Sequence, residues 1–130
     1  MKNKVKYIPV KNVFVAISND AENIWNVYVI NKSNSPITNV LITSKGYGEI
    51  NGETKKTSVL RHLLEKVDAN SYQLIEPIEP SLFQLSNEFW VSFYIEKQIF
   101  DKKYIFTPAS FLDDNMITLP LINKKGILHN

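Results

Sequence analysis

Short apolar runs rich in Val, Ile, Phe, Tyr and Trp recur along the chain, and Asn, Ser, Gly, Asp and Pro separate them. Apolar and polar residues alternate most regularly in Trp25–Ile30 and Phe89–Glu96. Successive side chains leave a strand on opposite sides, so this period of two predicts many short strands. The predicted strands are Lys4–Pro9, Val13–Ser18, Trp25–Asn31, Ile37–Ser44, Ser58–Val67, Tyr72–Glu76, Phe89–Ile95, Gln98–Thr107 and a short closing strand at Ile117–Leu121.

One segment fits two kinds of secondary structure. In SVLRHLLEKV, Ser58–Val67, the apolar residues also follow the spacing of an amphipathic helix. We predict a strand here, because strands are predicted on both sides, and we keep the helix as the alternative. Short helical turns are predicted near Pro80–Leu85 and Ala109–Asn115, and a tight hairpin is predicted at Ile95–Ile99.

The number and length of these strands predict the fold class. The chain has 130 residues, of which 44% are hydrophobic, enough for one domain with a sizeable core. Seven to nine short strands predict an all-β fold, an antiparallel two-sheet immunoglobulin-like β-sandwich over residues 1–130. The cysteine pair of antibody domains is absent, so the expected likeness is one of architecture.

Cysteine content, charge and hydropathy indicate the setting of the protein. Without cysteine the chain forms no disulfide and no thiolate metal site, which fits a reducing compartment. No apolar stretch of signal-peptide type follows the basic start, and no run approaches the ~20 apolar residues of a membrane span. We therefore expect a soluble cytoplasmic protein without a membrane partner. The net charge of +2 is too small to indicate a polyanionic partner by itself.

A glycine-rich stretch, KGYGEINGETKKTS at Lys45–Ser58, holds three of the four glycines beside lysines and threonines. A Walker-type phosphate loop needs glycine directly before Lys56, where the chain has lysine. A dinucleotide loop needs its third glycine at position 51, one place before Gly52. Asn51-Gly52 is instead a strong hairpin signal, so we predict a turn and no cofactor.

No pattern of catalytic residues is evident. We interpret His62, set among leucines, as a packed or edge residue, and Asp113-Asp114-Asn115 as a loop or helix cap because the calcium-loop spacing is missing. No catalytic, cofactor-binding or metal-binding residue is therefore predicted. Aromatic and basic positions define a predicted interaction surface, which consists of Tyr47, Lys55, Lys56, Arg61 and Trp90.

A family of small uncharacterised bacterial proteins resembles this chain in four segments: WNVYVINKSNSPITNVLITSKGYG, TSVLRHLLEKV, NEFWVSFYIEKQIFDKKYIF and LPLINKKGIL. The resemblance spans about Val13 to Leu128. Some members of that family carry the label phenylalanyl-tRNA synthetase alpha subunit. Class II synthetases hold ATP with an arginine followed by x-Glu, whereas the only arginine here, Arg61, precedes His-Leu. The resemblance therefore implies no synthetase activity and supplies no active-site residues.

Three functions are compatible with these residues. The leading hypothesis is a non-catalytic protein-interaction module whose partner is another protein or a second copy of the chain. An RNA- or tRNA-associated accessory protein is the first alternative, based on the basic N-terminus and the pairs Lys55-Lys56, Lys102-Lys103 and Lys124-Lys125. Nucleic acid is nevertheless not the expected partner, because the chain has a single arginine. A small enzyme with an unrecognised site near His62 is the second alternative.

Overall fold

The computed structural model describes residues 8–130, which form two antiparallel sheets packed against each other. The strands are β1 (Val13–Ala21), β2 (Ile24–Asn31), β3 (Ile37–Ile50), β4 (Glu53–Lys56), β5 (Leu60–Val67), β6 (Ser71–Pro77), β7 (Ser86–Ile95), β8 (Gln98–Phe106), β9 (Ile117–Thr118) and β10 (Lys125–His129). The first sheet has the order β6-β2-β1-β10-β9. The second has the order β4-β3-β7-β8, with β5 also paired to β3. The predicted all-β, two-sheet sandwich is confirmed.

The strand count differs from the prediction, because ten strands form within residues 8–130 where seven to nine were expected. The sequence gives no signal for β4, since Glu53–Lys56 contains no apolar residue, and only a weak one for β10. The predicted strand Lys4–Pro9 lies mostly outside the described residues, and residues 8 and 9 are not in a strand. None of the helical segments within residues 8–130 is long and apolar enough to cross a membrane.

Strand β3 is the longest, and it extends six residues past its predicted end at Ser44. Its first part pairs with β5 and its last part with β4, while β7 follows its other edge. The chain then reverses at Asn51 (φ 53°) and Gly52 (φ 79°), the two left-handed positions that a type I′ hairpin requires. The predicted turn is confirmed, and residues 45–50 form a strand instead of a phosphate-binding loop.

The ambiguous segment Ser58–Val67 contains strand β5, as predicted. Its helix-like spacing arises because the adjacent Leu63 and Leu64 point to opposite sides of the sheet and are both apolar. The predicted hairpin joins β7 to β8, with Glu96 at φ 55°. The predicted helical turns are 3-10 segments at Pro80–Gln84, Pro108–Phe111 and Asp113–Asn115.

The inner faces of the two sheets meet in one apolar core. The inward residues of β1 and β7 are Val13, Val15, Ile17, Phe89, Val91 and Phe93. Tyr104 of β8 is fully buried, and its hydroxyl donates to the carbonyl oxygen of Val13 across the core at 2.7 Å. Burial raises the pKa of Tyr104, so the phenol remains a donor and links the two sheets.

Candidate interaction face and pocket

A row of side chains crosses four strands on the outer face of the second sheet. Thr43 of β3 pairs with Arg61 of β5 on one side and with Trp90 of β7 on the other. Trp90 in turn pairs with Lys103 of β8. Directly paired residues of antiparallel strands point to the same face, so these four side chains form one row. Lys103 is next to the exposed indole of Trp90, and Arg61 lies on its other side, beyond Thr43.

Four of the five residues predicted for the interaction surface share this outer face. Arg61 and Trp90 belong to the row described above. Tyr47 lies four positions beyond Thr43 on β3 and pairs with Lys56 of β4. The structure therefore brings these four residues to one side of the sandwich, and their role in binding stays a prediction.

Lys55 does not lie on this face. It pairs with Gly48 and therefore points to the opposite side of the β3–β4 hairpin from Lys56. Its ammonium lies 3.0 Å from the carboxylate of Glu53. Lys55 is thus separated from the row that contains Arg61.

The Tyr47 end of the face is held by a polar network. The Tyr47 hydroxyl donates to Glu88 Oε1 at 3.2 Å, and Lys45 Nζ lies 3.8 Å from Glu88 Oε2. Burial and the bond to Glu88 raise the pKa of Tyr47. The hydroxyl is therefore a hydrogen-bond donor at neutral pH, and it fixes the orientation of the ring.

Trp90 is oriented by polar contacts while its ring remains in solvent. The indole Nε1 donates to Asp101 Oδ1, and the Ser92 hydroxyl donates to the same oxygen at 2.8 Å. The Lys103 ammonium lies 4.7 Å from the ring centre, within cation–π range. The side chain is nevertheless 43% exposed. This combination presents a pre-oriented apolar ring to the solvent.

Large apolar side chains are concentrated around Trp90. We call the set of six the Trp90 face: Leu41, Leu63, Trp90, Tyr94, Ile99 and Ile105, all between 36% and 68% exposed. Leu41 pairs directly with Leu63, and Tyr94 pairs with Ile99. Leu41 connects these pairs, because it is opposite Ser92 and therefore diagonal to both Trp90 and Tyr94, and Ile105 is diagonal to Trp90. Nothing among residues 8–130 buries this patch.

The outer face of the first sheet is different, because the chain covers much of it. Residues 119–124, which we call the covering segment, connect β9 to β10. Leu119 and Ile122 from this segment are buried against Ala16 of β1 and Ile30 of β2. The result is a second, smaller apolar cluster on the outside of the first sheet.

Gly126 allows the covering segment to approach the sheet. A Cβ at this position would lie 2.3 Å from the carbonyl oxygen of Ile17 and 2.6 Å from Leu119 Cδ1. Both distances are shorter than a van der Waals contact. Any larger residue would therefore have to displace both the backbone of β1 and the leucine that covers it.

A carboxylate anchors the polar end of the covered face. Asp20 accepts hydrogen bonds from the Ser18 hydroxyl at 2.6 Å, the Tyr28 hydroxyl at 2.6 Å and the Asn26 amide at 2.7 Å, and Lys124 Nζ lies 3.7 Å away. Burial by itself would raise the pKa of Asp20, but these bonds and the lysine charge lower it below its ordinary value. Burial and the bond to Asp20 raise the pKa of Tyr28 to about 12.

A second polar cluster lies where edge strands of the two sheets meet. Glu76 of β6 accepts from His62 Nε2 of β5 at 2.6 Å. The Ser44 hydroxyl of β3 lies 2.9 and 3.1 Å from the two Glu76 oxygens. Ser44 is buried, and the Glu76 side chain is only 12% exposed. Ser44 and Glu76 also line a pocket that opens between the two sheets.

The three side chains of this cluster are not arranged in the order that activates a serine nucleophile. In a catalytic triad the imidazole lies between the serine and the carboxylate and takes the hydroxyl proton. Here the carboxylate of Glu76 lies in the middle, so the imidazole of His62 does not activate Ser44. A neutral imidazole that donates from Nε2 keeps its lone pair on Nδ1. The structure thus places His62 beside a carboxylate, but His62 is not among the residues that line the pocket, and no nucleophile is aligned with it.

The lysine pairs suggested for RNA binding are spread over different surfaces. Lys102 and Lys103 are adjacent on β8 and point to opposite faces, as do Lys55 and Lys56 on β4. Lys124 lies beside Asp20 on the covered face. Within residues 8–130 no group of three or more His, Cys, Asp or Glu side chains is arranged to hold a metal ion. These lysines do not form one continuous basic groove.

Sequence reasoning did not identify Ser44, Glu76, Leu41 or Leu63 as parts of a site. Ser44 and Glu76 are 32 residues apart along the chain, and only the packing of the two sheets brings them together. One signal was available, because Ser44 is a polar residue at an inward position two places after the buried Ile42. A polar residue on the core side of a strand needs a partner.

Comparison with known proteins does not assign the chain to a family. No protein-family model matches the chain. No curated protein matches it significantly.

Proposed function

We propose that this protein is a non-catalytic interaction module that binds a protein partner through the Trp90 face. The observation that carries the proposal is the concentration of six exposed apolar side chains on one sheet face. Contiguous exposed apolar patches on soluble proteins commonly mark interaction sites. The same proposal includes a relationship to the small bacterial proteins that the chain resembles. It also includes an immunoglobulin-like architecture and a cytoplasmic location.

The composition of the Trp90 face supports this role. Trp, Tyr and Arg are the residues that most often dominate binding energy in protein interfaces. Trp90 and Tyr94 lie on the same side of β7, and Arg61 lies two strands from Trp90 on the same face, with Thr43 between them. The contacts of Trp90 with Asp101 and Lys103 restrict its ring before binding, which lowers the entropy lost on association.

The proposal is tested by affinity recovery of the tagged protein from its native cells, with nuclease treatment and mass spectrometry. The binding-face variant is Trp90→Ser combined with Leu63→Ser. The matched control is Leu112→Ser, which removes a leucine that is 61% exposed on the connection between β8 and β9. Wild type and control should recover the same stoichiometric partner, and the face variant should lose it.

The size of the purified protein completes this test. Self-association that the face variant abolishes would identify the partner as a second copy of the chain. A monomer that recovers nothing, or a partner recovered equally by the face variant, would contradict the proposal. A species lost on nuclease treatment would favour the RNA alternative, and recovery of a tRNA synthetase would give meaning to the label found in the resembling family.

A further inference from the structure

The pocket beside Glu76 has the form of a small ligand site. It has a volume of about 140 Å³ and opens between the β3–β5 side of the second sheet and the β6 edge of the first. Its apolar lining is Leu60, Ile78, Leu82 and Phe89. A cavity of roughly 150 Å³ lined by apolar side chains is large enough for benzene, so this pocket fits a group of similar size.

The carboxylate of Glu76 gives this apolar pocket a polar wall. A carboxylate has about four acceptor positions. His62 fills one at 2.6 Å, and the single hydroxyl hydrogen of Ser44 fills one more, although the Ser44 oxygen lies near both carboxylate oxygens. The side chain is 12% exposed and lines the pocket. Acceptor capacity therefore remains for a hydrogen-bond donor inside the pocket.

The charge of Glu76 selects the kind of donor. Lys45 also lines the pocket, but its ammonium lies 3.8 Å from Glu88 on the outer face. Among residues 8–130, no lysine or arginine forms a salt bridge with the Glu76 carboxylate, whose one close basic neighbour is His62. An anionic ligand would be repelled here, whereas a cationic donor would complete the hydrogen bonding of the carboxylate.

We propose that this pocket binds a primary ammonium group on a short apolar stem, either as a free amine or as a lysyl side chain. The ammonium donates to Glu76, and the stem packs against Leu60, Leu82 and Phe89. A stem of about four to seven carbons matches the volume. This binding does not require the Trp90 face, which lies on the outside of the second sheet.

The test is an NMR titration of the backbone amides at neutral pH and low salt with n-butylamine and with Nα-acetyl-lysine N-methylamide. The neutral and anionic controls of similar size are n-butanol and butyrate. Saturable shifts centred on Ser44, Glu76 and Phe89 are expected with the amine, with clearly weaker effects from the alcohol and none from butyrate. If both cations bind, a lysyl side chain of a protein qualifies as ligand; if only butylamine binds, the ligand is a free amine.

Two variants make the test specific. Glu76→Gln retains an oxygen that accepts from His62 and removes the charge, so amine affinity should fall at least about tenfold, equivalent to about 1.4 kcal/mol. Glu65→Gln, a charge change at an exposed position of β5 that does not line the pocket, should leave affinity unchanged. If Glu76→Gln fails to fold, Leu60→Trp at the pocket mouth replaces it and should block binding. Equal binding of butanol and butylamine, preference for butyrate, or unchanged affinity in the folded variant would overturn the proposal.

Discussion

The two sheets bury their inner faces in the same core, but their outer faces differ. The first sheet is covered by residues 119–124, which bury Leu119 and Ile122 against it. Exposed apolar side chains on that side lie at its margin, as Tyr72 and Leu74 do on the edge strand β6. The second sheet has the Trp90 face across four strands and no cover among residues 8–130. An apolar outer face is thus completed by the chain itself in one case and left open in the other.

This difference separates residues that stabilise the fold from residues that are free to serve binding. A buried leucine contributes both transfer free energy and packing, while an exposed one contributes little to folding. Leu119 is fully buried, and Leu63 is the most exposed member of the Trp90 face. The stability of the fold therefore gives little reason for a leucine at position 63. A partner that covers this leucine, as proposed above, would give one.

The largest expected difference in the free energy of unfolding is between Leu119→Ala and Leu63→Ala. Loss of the buried leucine should lower the free energy of unfolding by about 2–5 kcal/mol, because it leaves a cavity under the covering segment. The exposed substitution should change it by no more than about 0.5 kcal/mol. Urea unfolding followed by circular dichroism measures both. Similar losses for the two variants would mean that the two faces do not differ as described.

An intermediate effect is expected for Asp20→Asn, compared with Asp101→Asn on the Trp90 face. Asp20 accepts three hydrogen bonds in a nearly buried site, so its replacement should cost about 1–3 kcal/mol at pH 7. Asp101 is exposed, and its replacement should cost less than about 1 kcal/mol. Urea unfolding at pH 7 gives both values.

The pH dependence of the Asp20 effect has a definite sign. Because the folded protein lowers the pKa of Asp20, the ionised carboxylate stabilises the fold fully above the unfolded pKa of about 3.9. That contribution is lost as the pH falls through the lower folded pKa. The difference between wild type and Asp20→Asn should therefore be constant above about pH 5 and shrink below pH 4. A difference that grows on acidification would contradict the assigned direction.

Strands in which apolar and polar residues alternate strictly could be predicted from the sequence. Secondary structure was harder to predict where an apolar residue also faces solvent. Phe89, Val91 and Phe93 all face the core, so β7 has a clean period of two. In β5, Leu63 faces solvent while Leu64 packs on the core, and the pair imitates a helical pattern. The same exposed leucine that obscured the secondary structure is part of the proposed binding face.

Features that depend on contacts between distant segments could not be predicted. The link between His62, Ser44 and Glu76 requires the pairing of β3 with β5 and the packing of β6 across the sandwich. Position 119 was expected within a strand, but it lies in the segment that covers the first sheet. Local periodicity records which residues are apolar, and it does not record which layer each of them joins.

The smallest expected effect concerns Lys103, whose ammonium lies over the Trp90 ring. At an exposed site a cation–π contact contributes about 0.5–1 kcal/mol. A double-mutant cycle with Lys103→Ala and Trp90→Leu, measured by urea unfolding, should give a coupling of that size, because the cycle removes the separate effects of each substitution.

Lys55→Ala provides the control for this cycle. Lys55 is also exposed and lies near Glu53, but it points to the opposite side of the sheet from Trp90. Its coupling to Trp90→Leu should be zero within error. A coupling of zero for Lys103 as well would mean that the ring is not held by the lysine in solution. The indole would then be oriented by its hydrogen bond to Asp101, and pre-orientation by this lysine would no longer contribute to binding.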